Sequence, residues 1–131
     1  MKKLIVNLDE NFKKHEDITK KTLKKLEKLF DLKKKYIEIY LVGNKFMEKN
    51  VLSFPAPKEF PRPDIKNYET LGEIYLNPIY IENHNEDFIF MLVHGFLHLL
   101  GYDHKIKSDA MIMEEKENEI MAKLNLANGK Q

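Results

Sequence analysis

The segment His94-Gly95-Phe96-Leu97-His98-Leu99-Leu100-Gly101-Tyr102-Asp103-His104 constrains this chain more than any other stretch. It continues a run from Asp87 that is apolar nearly all round, which predicts a buried helix over Asp87–Leu100. On a helix, His94 and His98 differ by about 40° in azimuth and by one turn in height, so both imidazoles project to one side. Gly101 stands where a left-handed C-cap glycine belongs, and it lets the chain turn back sharply. Three residues later His104 can swing round to the same point. Three imidazoles form a nitrogen site for a tetrahedral zinc ion with a fourth position open for water. An open position marks a catalytic zinc, whose water reaches a pKa near about 7. The alternative is a closed structural site with Asp103 or another carboxylate as fourth ligand. Three neutral imidazoles in an apolar segment without a common partner would cost desolvation, which favours a shared ion.

The rest of the chain predicts one α+β domain over residues 1–131. At 131 residues there is room for one core, and for no second one. Alternation marks strands over Lys3–Leu8, with Leu4, Val6 and Leu8 on one face, and over Tyr36–Val42, with Ile37, Ile39 and Leu41 opposite Glu38 and Tyr40. Val51–Phe54, stopped by Pro55, and Leu71–Leu76, ended by Asn77-Pro78, are two more. Asp17–Lys35 reads as an amphipathic helix with Leu23, Leu26, Leu29 and Phe30 on its inner side. Ser108–Leu124 reads as a helix N-capped by Ser108-Asp109, with Met113, Ile120, Met121 and Leu124 inward. Ala56–Asn67 is a proline-rich loop, and the tail after Leu126 frays. The first helix can carry a parallel crossover, while Gly43-Asn44 favours some antiparallel pairing. The expectation is a small mixed sheet of about four strands with helices packed on it, and a zinc site on the penultimate helix.

Cysteine is absent, which removes disulfides, thiolate metal sites and cysteine nucleophiles, and fits a reducing compartment. No run approaches a bilayer span, and the apolar stretch after Lys2-Lys3 ends at Asp9, too short for a signal core. The chain reads as cytoplasmic, with no membrane partner. Charge is divided unevenly. Residues 1–66 hold 17 Lys/Arg against 10 Asp/Glu, whereas residues 67–131 hold 5 against 11. A basic half suits an anionic partner such as nucleic acid, or is a solvated lysine-rich helix carrying Lys20, Lys21, Lys24, Lys25 and Lys28. Arg62 is the sole arginine, so no clamp of several arginines exists.

The ligand spacing and the glycine coincide with those of metzincin proteases, His-Glu-x-x-His-x-x-Gly-x-x-His. The position of their general base holds Gly95, which cannot take a proton. Glu73 and Asp103 are the carboxylates that could substitute. Asp103 either orients an imidazole or caps its own turn. Ser53 reads as a satisfied strand serine, Tyr102 as a core residue whose phenol could reach the site, and His15 and His84 as surface residues.

The segment His-Gly-x-x-His-Leu-x-Gly-Tyr-Asp-His resembles the YbeY family of endoribonucleases, the ribosomal RNA maturation factors. Asn50-Val51-Leu52-Ser53-Phe54-Pro55 and Leu71-Gly72-Glu73-Ile74 resemble two further strands of that family, in family order. The resemblance implies a zinc-dependent endoribonuclease with one Zn2+ per chain, held by His94, His98 and His104. It implies single-stranded RNA as substrate, in ribosomal RNA maturation that includes the 3′ end of the small-subunit RNA, and the small ribosomal subunit as a partner. The family usually carries an arginine just before the Val-Leu-Ser-Phe strand. Met47 stands about there, leaving Lys45 or Lys49 to hold a phosphate as a point charge. The rival readings are a zinc peptidase or amidohydrolase, and a metal-stabilised module that binds RNA or the ribosome without cutting.

Overall fold

The computed structural model describes residues 1–57 and 68–127. Four strands, β1 (Lys2–Asn7), β2 (Lys35–Leu41), β3 (Val51–Pro55) and β4 (Glu69–Leu76), form one mixed sheet in the order β1-β2-β4-β3. Among the described residues four α-helices accompany them: α1 (Lys13–Leu29), α2 (Pro78–Asn83), α3 (Phe88–Leu99) and α4 (Lys107–Ala127). The mixed α+β architecture expected from the sequence is present.

β1, β2 and β4 run parallel, and α1 makes the crossover between the first two. The antiparallel partner of β4 is β3. The pairing suggested by Gly43-Asn44 therefore does not form across that turn: β4 inserts between β2 and β3. A tight turn fixes only a local reversal, whereas strand order is set by which faces bury best at long range. β3 is left as an edge strand, the place where its terminal Pro55 costs least.

Ile37, Ile39, Leu41, Ile74 and Leu76 alternate onto the inner face of the sheet and are fully buried there. Leu23 and Leu26 of α1, Leu92, Val93, Phe96 and Leu97 of α3, and Met113, Ile120 and Leu124 of α4 close the core over them. In β1 the inward residue is Ile5, so the face carrying Leu4 turns outward. α1 ends at Leu29, six residues before the expected Lys35. Phe30 leaves the helix in an extended conformation and Lys34 is left-handed, which returns the chain to bury Leu32 and enter β2. Leu29 is consequently 37% exposed, and the inner stripe of α1 is completed by Thr19 and Thr22.

α2 is an element the periodicity did not reveal, because six residues are too few to show one. Asn77 caps it by accepting from the Tyr80 N–H at 3.1 Å, with Pro78 opening the helix. α4 begins at Lys107, so Ser108 and Asp109 lie inside its first turn rather than capping it. Positions 58–67 of the expected proline-rich loop, Arg62 among them, and the tail from 128 lie outside the described residues. No helix among the described residues is long and apolar enough to cross a membrane.

Candidate metal centre

The three histidines meet as their spacing predicts. Each offers a ring nitrogen, and these atoms lie within 4.8 Å of one another. His94 and His98 project from one side of α3, their Nε2 atoms 3.1 Å apart. His104 arrives from the loop beyond α3 and is exposed. The turn that brings it there is a Schellman cap. Gly101 takes a φ of 104°, its N–H donates to the His98 carbonyl, and the Tyr102 N–H donates to the Leu97 carbonyl at 3.0 Å.

Two of the three far ring nitrogens have partners. His94 Nδ1 lies 2.7 Å from Glu117 Oε2, and His98 Nδ1 lies 3.0 Å from the Tyr102 carbonyl oxygen. A carbonyl accepts only, so His98 Nδ1 must carry the proton, and its Nε2 presents a lone pair. Glu117, 6% exposed, does the same for His94 when ionised. Two lone pairs facing each other at this distance repel unless a cation lies between them. Nitrogens each about 2.0–2.1 Å from a tetrahedral zinc stand about 3.3 Å apart, close to the observed separation. Burial first, and then the neighbouring His94 and His104, push the His98 pKa below its ordinary 6.5. The ring is thus neutral at pH 7, the form that binds a metal. The donor set fits a zinc-like ion on these grounds.

Glu117 was missed by sequence reasoning, though a signal existed. It lies four residues after Met113 and three before Ile120, so it is a carboxylate inside the apolar stripe of α4. The two carboxylates singled out instead have other work. Glu73 accepts from the Tyr75 hydroxyl on the far face of the sheet and is absent from the site. Asp103 accepts from the His104 and Lys105 backbone N–H groups, so it caps the turn and orients no imidazole by hydrogen bond. Nor does it join the three histidines as a fourth ligand.

The centre opens into a cleft of about 470 Å³ between the edge strand β3 and α3. Lys49, Asn50, Ser53, Phe90 and Met91 line it with the histidines, and no carboxylate lines it among the described residues. Of Lys45 and Lys49, it is Lys49 that lines its wall and brings positive charge there. Ser53 donates to the Gly95 carbonyl at 3.2 Å, so it is satisfied as expected. Gly95 is where α3 presses on the sheet. A Cβ there would stand 2.8 Å from Ser53 Oγ and 3.0 Å from Ile74 Cγ2. A side chain at this position would meet β3 and β4, so the protease-type base has neither room nor the right direction. Tyr102 contributes its carbonyl, as seen above. His84 is exposed and stacks on Tyr80, whereas His15 is half-buried against Phe88 at 4.9 Å and is not the surface residue expected.

The sequence profile of the family described as endoribonuclease YbeY matches residues 4–125. Endoribonuclease YbeY of Francisella tularensis subsp. novicida (strain U112) is 34% identical over 103 residues, covering 70% of this chain and 64% of that protein. The protein of the same name from Francisella tularensis subsp. mediasiatica (strain FSC147) shows the same identity and coverage. The chain thus spans a little under two thirds of the length of these curated relatives. The matched residues run from β1 to α4 and enclose the three histidines, Gly101 and Glu117, and on that match the chain belongs to the endoribonuclease YbeY family.

Proposed function

We propose that this protein is a zinc-dependent endoribonuclease that cuts single-stranded RNA in ribosomal RNA maturation, the 3′ end of the small-subunit RNA included. The observation that carries the reading is the convergence of three histidine nitrogens, two of them fixed by partners on their far ring atoms, at the floor of an open cleft. His94, His98 and His104 are the ligands in this reading, with one Zn2+ per chain and residues 1–131 acting as one domain. Cytoplasmic RNA and the small ribosomal subunit are the partners it implies.

When bound, zinc supplies positive charge that polarises a phosphoryl oxygen and lowers the pKa of water. The protein's own groups do the rest. Glu117 and the Tyr102 carbonyl hold two imidazoles in orientation. Lys49 offers a point charge to a phosphate on the cleft wall. Phe90 and Met91 give the cleft an apolar part of its lining. A peptidase reading is weaker here, because amide hydrolysis needs a base to activate water and to protonate a poor leaving group. The cleft has no carboxylate among the described residues, and Gly95 is packed against the sheet.

The test is cleavage of an unstructured single-stranded RNA by wild type beside an identically purified His98→Ala protein. Cleavage by wild type alone is expected. Equal cleavage by both proteins contradicts the reading, as does a zinc-loaded wild type that cuts nothing; the latter outcome moves the binding-module reading to the front.

A further inference from the structure

The sheet has a second face, turned away from the helices, and it is unusually aromatic. Tyr40 of β2 and Tyr75 of β4 are register partners and stack at 4.9 Å with their planes 15° apart. Phe46, from the loop between β2 and β3, continues the row on Tyr75 at 5.7 Å and 14°. Phe54 of β3 meets Tyr75 edge-on at 5.7 Å. The outermost rings are the most open, Phe46 at 60% and Phe54 at 51% exposure. Two phenylalanine rings this open to water forgo much of the burial their surface could gain, so an occupant that covers them is favoured.

Position and charge identify the occupant. β3 is one strand wide and is the edge of the sheet, so its outer face lies about 5 Å from its free edge, which borders the cleft. Leu52, opposite Tyr75 in the register, lines that cleft as well. The loop that carries Phe46 also carries Lys45 and Lys49, both exposed and neither in an ion pair among the described residues, and Lys49 reaches the cleft wall. Two carboxylates of this face are hydrogen-bonded to its phenols: Tyr40 donates to Glu38, and Tyr75 donates to Glu73 at 2.7 Å. Exposed rings at the ends of a stacked aromatic row, with lysines along the path to the cleft, suit a polymer of aromatic bases on an anionic backbone.

Resting on the function proposed above, we propose that Phe46 and Phe54 form a stacking platform for bases of single-stranded RNA that flank the phosphodiester in the cleft. The strand crosses the β3 edge, its phosphates following Lys45 and Lys49 and its bases lying on the rings. Recognition of this kind tolerates sequence, because every base has a π-face.

The experiment measures binding of a short unstructured RNA carrying 2-aminopurine, in the first seconds after mixing with zinc-loaded protein. Base stacking by aromatic residues is worth about 5- to 100-fold in affinity per ring. Phe46→Ala and Phe54→Ala are each expected to weaken binding in that range and to reduce the fluorescence quenching. Phe46→Leu, which keeps apolar bulk without a ring, is expected to lose as much, and Phe46→Trp is expected to retain binding. Zinc content and thermal midpoint, measured on each protein, show that the metal centre is intact. Wild-type affinity in Phe46→Leu, or in the doubly substituted Phe46→Ala/Phe54→Ala protein, overturns the platform and leaves the nuclease reading standing. A zinc-loaded wild type that binds no RNA overturns both.

Discussion

His94, His98 and His104 were legible as a set because helical geometry and one glycine fix where three side chains go. Glu117 was not read from the sequence, because its place in the apolar stripe of α4 marks it as inward-facing without saying which group it meets until α4 packs on α3. Its carboxylate is 2.7 Å from His94 Nδ1. Glu117→Gln keeps the shape and removes the charge, and is expected to weaken zinc binding about 10- to 100-fold in a chelator competition; unchanged affinity would contradict an orienting role. Glu73 and Asp103 were drawn in as carboxylates, Asp103 also because it immediately precedes a ligand. Which face of the sheet a residue takes, and whether a backbone N–H claims its carboxylate first, decided both. His15 shows the same limit. Its polar sequence neighbours hide a ring packed between Phe12 and Phe88, with Nδ1 buried and without a partner. Burial first, and then Lys14, lower its pKa below 6.5. The unfolded chain therefore takes up protons at a higher pH than the native one. The contribution of this residue falls as pH drops through about 6.5 and levels off below the lowered native value. His15→Phe is expected to leave stability at pH 7 equal or up to about 1 kcal/mol higher. Denaturant midpoints between pH 7 and 5 are then flatter than in wild type; an unchanged pH profile would contradict this.

The strands were legible wherever apolar and polar residues alternate, and β2 shows how far that goes: Ile37, Ile39 and Leu41 all fall on the inner face. Boundaries and neighbours were less so. α1 stops where Leu32 must be buried, a tertiary demand that no helical period contains. The order β1-β2-β4-β3 depends on pairings between distant residues, so the antiparallel pairing expected around Gly43 is made by β3 with β4 and not across that turn. The contact of α3 with β3 and β4 is the element-scale feature that sets the site, because it carries His94 and His98 just past the sheet edge. Gly95 permits that approach. Gly95→Ala is expected to lose about 1–3 kcal/mol in urea denaturation, since overpacking against Ser53 and Ile74 outweighs the gain in helix propensity. Equal or greater stability would mean that α3 can shift without cost.

At the scale of the whole molecule, helices cover one face of the sheet, rings line the other, and the metal centre sits at the edge between them. The charge asymmetry seen in the sequence fits this layout in part. Lys49, the one lysine that lines the cleft among the described residues, comes from the loop before β3, while α1 carries a separate lysine-rich surface on which Lys20 pairs with Glu16. The central claim is that a single zinc ion on three histidines is what cuts RNA. It is tested most directly by stripping the protein of metal and titrating zinc back while following cleavage of a single-stranded RNA. The account predicts no cleavage by the metal-free protein, and a rate that rises to a plateau at one zinc per chain and stays at zero throughout for His98→Ala. Cleavage that survives metal removal, or that stays absent with one zinc bound, would contradict it.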